Sequence, residues 1–599
     1  MAGRGGPIRD RPTSEKVGLA LSGGGFRAAF FHVGVLARLA ELGILPKVEV
    51  ISTVSGGSIV GAAYYIGLKE LLESKPDGQI ISADYQQLVL KVEQRLLDAV
   101  RKNIRGRLFG NLVKNVVMAW PTYSRSDRIG DLYDRYLYKE MWPGSRERKW
   151  WGAERQIALH ELRIQPHGEP AGFNPHEHGA HRRAKVPILL INATSLNSGH
   201  NWRFEAVRMG EALPKQEGKQ ETVEEVDKNM RLIQGNFDPG GDGPLLPEGQ
   251  RDFPLALAVS ASACVPLLFH PLSISGVYKG IRVELVDGGV QDNQGLQGLL
   301  DEECYYLIVS DASGQMLDVE RPSTLLPSVA GRSMSIYGDR IRDEQLVYAR
   351  SGDGEMALMH LRKGLRGKAV EPSQAVTDAA DEREGDFDCS EFGVDKDVQV
   401  ALSRIRTDLD DFSDREAFSL MLDGYKMSER ELNRAAMQPL RGSNPLDADP
   451  DEWDFGAVND NIGSPTDRYL RQLHAGQHRF FRMIATERLA RPWLFGAANA
   501  LAAGLLIALI VWKRGAISDV WRDDWSAGAV ILAVGVPLVL LAAYLAMAMT
   551  SPLVRYPLAV LSMPLALVAG LLLWAWAWIA LPARLLRAKL AAVPSQPFP

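Results

Sequence analysis

The chain has 599 residues, enough for about four domains of ordinary size or for one large α/β domain with insertions and appendages. Its composition, 46% apolar and 24% charged with a net charge of −5, excludes a wholly disordered chain and a generic basic nucleic-acid binder. Cys264, Cys304 and Cys389 lie far apart with no CxxC or zinc spacing, so neither a disulfide framework nor a structural metal site is expected.

Residues 1–16 carry Arg4, Arg9, Arg11 and Lys16 among Gly and Pro, without an apolar run of signal-peptide length. A flexible N-terminus and a cytoplasmic start are expected. Residues 16–22 are a short apolar run, followed by Gly23, Gly24 and Gly25 and then by helical periodicity over 26–42. The pattern repeats: the stretch VEVISTV passes through Ser55, Gly56 and Gly57 into SIVGAAYYIGL. Two strand-to-helix units in succession predict an α/β fold with a mainly parallel sheet. Further buried strands are predicted at 186–193, 282–286 and 305–310. Between the second unit and residue 186 lie a basic helical stretch over roughly 88–122 and a loop bearing His160, His167, His176, His178 and His181. That loop has no HExxH or tight ligand spacing and reads as polar surface. Residues 368–398 are acidic and poor in apolar side chains, the composition of a solvated loop. Residues 441–490 read as a linker and an amphipathic helix, the helical run starting near Asp467 and carrying Arg471, Arg479, Phe480, Phe481 and Arg482.

Residues 491–599 are unlike the rest. Runs at 493–512, 527–549 and 557–581 contain 20, 23 and 25 residues without a charge. At about 1.5 Å per residue each is long enough to cross a hydrocarbon core of about 30 Å. Trp493, Trp512, Trp525 and Tyr556 sit at run ends, where amphipathic rings favour the headgroup level. About three transmembrane helices are expected. Lys and Arg do not fix their orientation: Arg479, Arg482, Arg488, Arg491 and Arg555 oppose Lys513, Arg514, Arg522, Arg584, Arg587 and Lys589. The expected location is the inner (cytoplasmic) membrane, with the α/β domain in the cytoplasm. The absence of ionisable residues from the runs argues against a transporter or channel.

The chemistry starts at Ser55, which follows an apolar strand and opens a helix with glycines at the next two positions. This is the setting of a nucleophile elbow, where small neighbours let the chain fold back tightly and expose the hydroxyl. Thr53, not glycine, stands two residues before the serine, and Gly57 two after. The competing reading is a serine capping a helix in a loop. The second glycine-rich turn, Gly23, Gly24 and Gly25 followed by Arg27, offers peptide N–H groups for an oxyanion, with Arg27 to steady the anion or the loop. It lacks the Lys-Ser/Thr pair of a phosphate-binding P-loop. Asp287, in VELVDGGVQDNQG, follows an apolar strand and precedes Gly288 and Gly289, which would put its carboxylate at a strand end as a base for Ser55. No histidine stands in a comparable strand-end context; His32 reads as a packing or polar contact in the first helix.

At these residues the sequence resembles the patatin-like phospholipase family, whose pattern is a glycine-rich oxyanion loop with a basic residue, a GxSxG serine and a DG[AG] aspartate. The loop maps onto Gly23, Gly24, Gly25 and Arg27, the elbow onto Ser55 with Gly57, and the aspartate motif onto Asp287, Gly288 and Gly289. PILLINATSLNSGHNWRF, ALAVSASACVPLLFHPL and LIVSDASGQ also look like the family. Thr53 and Ala28 depart from it, and Thr53 fits if the neighbouring strand is displaced or presents a small residue to it. The resemblance implies a three-layer α/β/α hydrolase domain over 17–440 and a Ser55–Asp287 dyad acting on glycerolipid acyl esters, with membrane lipids as substrate and no cofactor or metal. The alternative is a non-catalytic lipid- or partner-binding membrane protein built on the same domain.

Overall fold

The computed structural model describes residues 15–102, 104, 125–142, 156–212, 227–241, 243–266, 268–314, 316, 318–352, 354–365 and 392–477. The chain divides into two compact units; Met1–Leu108, Lys114–Arg321 and Gly331–Gln477 make up the first, to which nearly all described residues belong. Its centre is a sheet. Strands β1 (Val17–Leu21), β2 (Val48–Val54), β3 (Ile188–Ser195), β9 (Tyr306–Asp311) and β10 (Glu355–His360) pair in parallel in the order β10, β9, β1, β2, β3. Beyond β3 the sheet turns antiparallel through β4 (Asn201–Phe204), β5 (Arg208–Glu211) and β6 (Gly235–Asn236). A hairpin of β7 (Leu272–Tyr278) and β8 (Ile281–Asp287) also joins β3, through β8.

The parallel strands are buried along nearly their whole length because helices cover both faces. Alternate side chains go to opposite cores. Leu19, Leu21, Ile51, Ile308 and Met359 enter the larger one, while Ala20, Val50, Val309 and Leu358 enter the smaller. The larger core is closed by α1 (Gly25–Glu41), α2 (Gly56–Ser74), α3 (Ser82–Arg101) and α9 (Asp414–Leu432). The smaller is covered by α6 (Leu296–Asp301) through Leu296 and Leu299 and by the last turns of α7 (Leu326–Ser351) through Leu346 and Ala349. Helices α4 (Arg125–Tyr133), α5 (Leu255–Ser262), α8 (Lys396–Ser403) and α10 (Asp467–Ala475) complete the elements used below. Helices α1 and α9 cross closely, for a Cβ on Gly34 would lie 1.7 Å from the Met421 carbonyl oxygen and one on Gly424 2.2 Å from that of Phe31.

The five predicted strands are present within a residue or two of their expected bounds, and the basic helical stretch begins earlier, as α3, while its residues 105–122 lie outside the described residues. Two boundaries differ. Trp453, Phe455, Ile462, Tyr469 and Leu473 are buried in the larger core, so the part of 441–490 that is described is packed domain and not linker. Those apolar residues are spaced irregularly through short turns, which hides them from a periodicity argument. Residues 396–398, expected in a solvated loop, start α8, which Asp395 caps by accepting from the Asp397 and Val398 N–H groups; residues 368–391 of that loop lie outside the described residues. The same holds for the uncharged runs at 493–512, 527–549 and 557–581. Among the described residues no helix is long and apolar enough to cross a membrane.

Candidate active site

Two parallel strands end side by side, β1 at Leu21 and β2 at Val54, and each passes straight into a glycine-flanked turn and a helix. At the second turn Ser55 has φ 50° and ψ −113°, a conformation that costs a non-glycine residue about 1–3 kcal/mol and turns its side chain away from capping α2. The tight geometry explains the glycines. A Cβ on Gly56 would lie 2.1 Å from the Gly25 carbonyl oxygen, and one on Gly57 2.1 Å from that of Leu21. The two turns therefore touch, and the Gly57 N–H donates to the Ser22 carbonyl at 3.1 Å.

Thr53 is fully buried, with its hydroxyl donating to the Leu190 carbonyl at 3.0 Å. The small residue facing it is Gly61 on α2, where a Cβ would come within 2.6 Å of Thr53 Cγ2. The space a glycine at position 53 would have left is thus left by the helix and not by the neighbouring strand. A chain of hydroxyls then reaches the elbow: Ser58 donates to Thr53 at 2.9 Å and accepts from Ser262 at 2.8 Å, while the Ser55 N–H donates to Ser262 at 2.9 Å. Ser262 ends α5, in a stretch whose role at the elbow the sequence does not reveal.

Asp287 arrives through sheet register. Val54 pairs with Asn192, and Ala193 with Asp287, so the end of β8 is level with the elbow on the far side of β3. The Asp287 carboxylate accepts from the Gly289 N–H at 2.8 Å, and the Ser55 side chain lies near enough to favour its ionised form. Gly288 has no room for a side chain, since a Cβ there would lie 2.4 Å from the Asn192 carbonyl oxygen. Burial pushes the Asp287 carboxyl up to about 6, against the opposing effect of the Gly289 N–H and the nearby Ser55 side chain. At neutral pH the group is ionised yet far more basic than an exposed aspartate.

The first glycine turn divides its labour. Gly24 and Gly25 have φ 136° and 59°, which only glycine adopts cheaply. The Gly23 N–H is taken by the Asn293 carbonyl at 2.9 Å, so Gly23 anchors the loop instead of offering a donor. Asn293 also wedges its side chain between the turns: its Oδ1 lies 2.2 Å from where a Gly23 Cβ would be and 2.5 Å from the equivalent point on Gly289. Arg27 is buried and points beneath the loop. Its guanidinium donates to the carbonyls of Ile405 at 2.8 Å, Ala312 at 2.9 Å and Ser403 at 3.3 Å. Burial lowers its pKa to about 10, with Asp311 opposing. It therefore braces the loop.

His32 bridges the Ser310 hydroxyl at 2.6 Å and the Ser22 carbonyl at 2.9 Å. Burial lowers it to about 4, so it is a neutral strut under the glycine loop. Cys264 and Cys304 are buried thiols that form no disulfide; burial pushes that of Cys264 up to about 12. Its carbonyl receives the Asp287 N–H at 2.9 Å. Among the described residues no group of three or more His, Cys, Asp or Glu side chains is placed to hold a metal ion.

Residues 19–300 match the model of the Patatin-like phospholipase family, and this chain carries a patatin-like phospholipase domain there. That match supports a domain of the lipid acyl hydrolase class. Among solved structures, VipD from Legionella pneumophila aligns at 14% identity over 81% of this chain and 87% of that chain, with a TM-score of 0.27. No curated protein matches the chain.

Proposed function

We propose that the protein is a membrane-anchored serine hydrolase of phospholipase A type that cleaves glycerolipid acyl esters with a Ser55–Asp287 dyad. The observation that carries this reading is the placement of the Ser55 side chain beside the buried Asp287 carboxylate, at a strained turn that leaves the hydroxyl with no capping duty. Asp287 removes the Ser55 proton as Oγ attacks the ester carbonyl. The anion that develops on the carbonyl oxygen is met by the peptide N–H groups of Gly24 and Gly25 and by the N-terminus of α2, held in place by Arg27 and Asn293. Collapse expels the alcohol, which takes the proton from Asp287, and water attacks the acyl-serine with Asp287 again as base.

Thr53, which departs from the family's glycine, is accommodated by Gly61, and this weakens the non-catalytic alternative. The anchor rests on the three uncharged runs, with the hydrolase domain on the cytoplasmic side of the inner membrane. Fatty acid released from phospholipid vesicles by the full-length protein, compared with Ser55→Ala, tests the activity. Equal release by both would reject it. Retention in membranes after alkaline carbonate tests the anchor, and release into the supernatant would remove it.

A further inference from the structure

Helix α7 wears its apolar side chains on the outside. Met334, Tyr337 and Ile341, at i, i+3 and i+7, form one exposed row, and Ile336 and Val347, three turns apart, form another about a third of a turn round the helix, with Arg340 and Glu344 between them. Tyr337 is 67% and Val347 63% exposed. A helix of a soluble domain turns such residues toward the core. Here only the last turns are seated, through Leu346 and Ala349, while Asp339 and Arg342, an i,i+3 pair at 3.4 Å, lie on the less exposed side. Arg340 and Glu344 pair across the bare face, which leaves that pair without net charge.

We infer that this face of α7, residues 334–347, is an interfacial surface that lies in the headgroup and upper acyl region of a lipid bilayer. Two observations favour lipid as the occupant. Aliphatic side chains with a tyrosine and an arginine suit the boundary, where the ring and the long basic stem keep their polar ends in water. Only 15 residues separate Gln477, the last described residue, from Trp493, where the first uncharged run begins, so a chain anchored by those runs keeps the domain at the bilayer surface. The helix also follows β9, and the next residue after that strand, Ala312, gives Arg27 one of the carbonyls that fix the glycine loop. Lipid contact on α7 therefore bears on the strand next to the site. The inference rests on the membrane-anchored reading above.

The test uses the full-length protein in a Cys389→Ser background, leaving buried Cys264 and Cys304. An environment-sensitive fluorophore is attached at Tyr337→Cys or Val347→Cys, with Glu248→Cys as an exposed control, and the protein is reconstituted in phosphatidylcholine–phosphatidylglycerol vesicles. Labels at 337 and 347 are expected to shift to the blue and to lose about half of their emission to acyl-chain-brominated lipid, while the 248 label responds only to aqueous iodide. Iodide quenching at 337 and 347 overturns the proposal, as does protection from both quenchers with crosslinking to a second copy or to residues 491–599. A second arm compares Ile336→Glu/Tyr337→Glu/Val347→Glu with wild type. Roughly tenfold slower hydrolysis of vesicle lipid, with unchanged turnover of a soluble short-chain ester, is expected, and equal loss on both substrates counts against the proposal. If Ser55→Ala showed that the protein is not a hydrolase, the quenching arm would still decide the lipid contact.

Discussion

Replacing Asp287 by asparagine should abolish turnover and at the same time stabilise the domain. The carboxyl is raised from 3.8 to about 6 by burial, so holding it ionised in the folded state costs about 2 pKa units, or about 3 kcal/mol at 1.36 kcal/mol per unit. The sign follows from proton uptake. Between pH 4 and 6 the folded chain binds more protons at this site than the unfolded chain, so stability falls as pH rises through this window and stays lowered above it. Asparagine keeps the oxygen that accepts from the Gly289 N–H and carries no charge to desolvate. Thermal midpoints of wild type and Asp287→Asn, taken at one scan rate, should diverge in favour of the variant at pH 8 and converge below pH 4, while ester turnover falls to the level of Ser55→Ala. A variant that is less stable than wild type at pH 8, or that keeps near-normal turnover, would refute the reasoning.

The same carboxyl sets a pH profile: kcat/KM should fall below pH of about 6 with the loss of one ionised group, and a profile flat down to pH 4 would point to a different base. His32→Gln should cost stability but leave that pH midpoint in place, since His32 is neutral and engaged at both ring nitrogens; a moved midpoint would implicate the ring in catalysis. Gly61→Ala should destabilise by about 1–3 kcal/mol through its clash with Thr53 Cγ2, and Thr53→Ser, which removes that methyl, should restore most of the loss in the double variant. Additive losses in denaturant titrations would mean the two do not meet. Arg27→Ala should lower kcat more than it raises KM, because it leaves the Ile405, Ala312 and Ser403 carbonyls unpaired and loosens the loop without touching substrate; a pure KM effect would place Arg27 on the lipid.

The central βα units were legible because both carry a signal that local physics enforces: an apolar strand, a turn where only glycine fits, and a helical period. Asp287 was legible for the same reason, as a polar residue at the end of an apolar strand before two glycines. The antiparallel flank was not, since β4, β5 and β6 are four, four and two residues long and too short to show alternation. What supports the site was also hidden. Thr53 reads as a defect until Gly61 is seen against it, and that contact joins a strand to the following helix. Asn293 lies in a polar stretch with no period, yet its carbonyl fixes Gly23 and its side chain fills the space between two glycines. Arg27 carries the charge expected of an oxyanion partner, and only the three carbonyls around it reveal a brace.

The dyad itself is tested most directly by treating the folded full-length protein with a fluorophosphonate and mapping the adduct by peptide mass spectrometry. The account predicts one phosphonylated residue, Ser55, with labelling lost in Ser55→Ala and slowed in Asp287→Asn in proportion to the loss of ester turnover. Labelling at another serine, or labelling of Ser55 at the wild-type rate when Asp287 is asparagine, would contradict it.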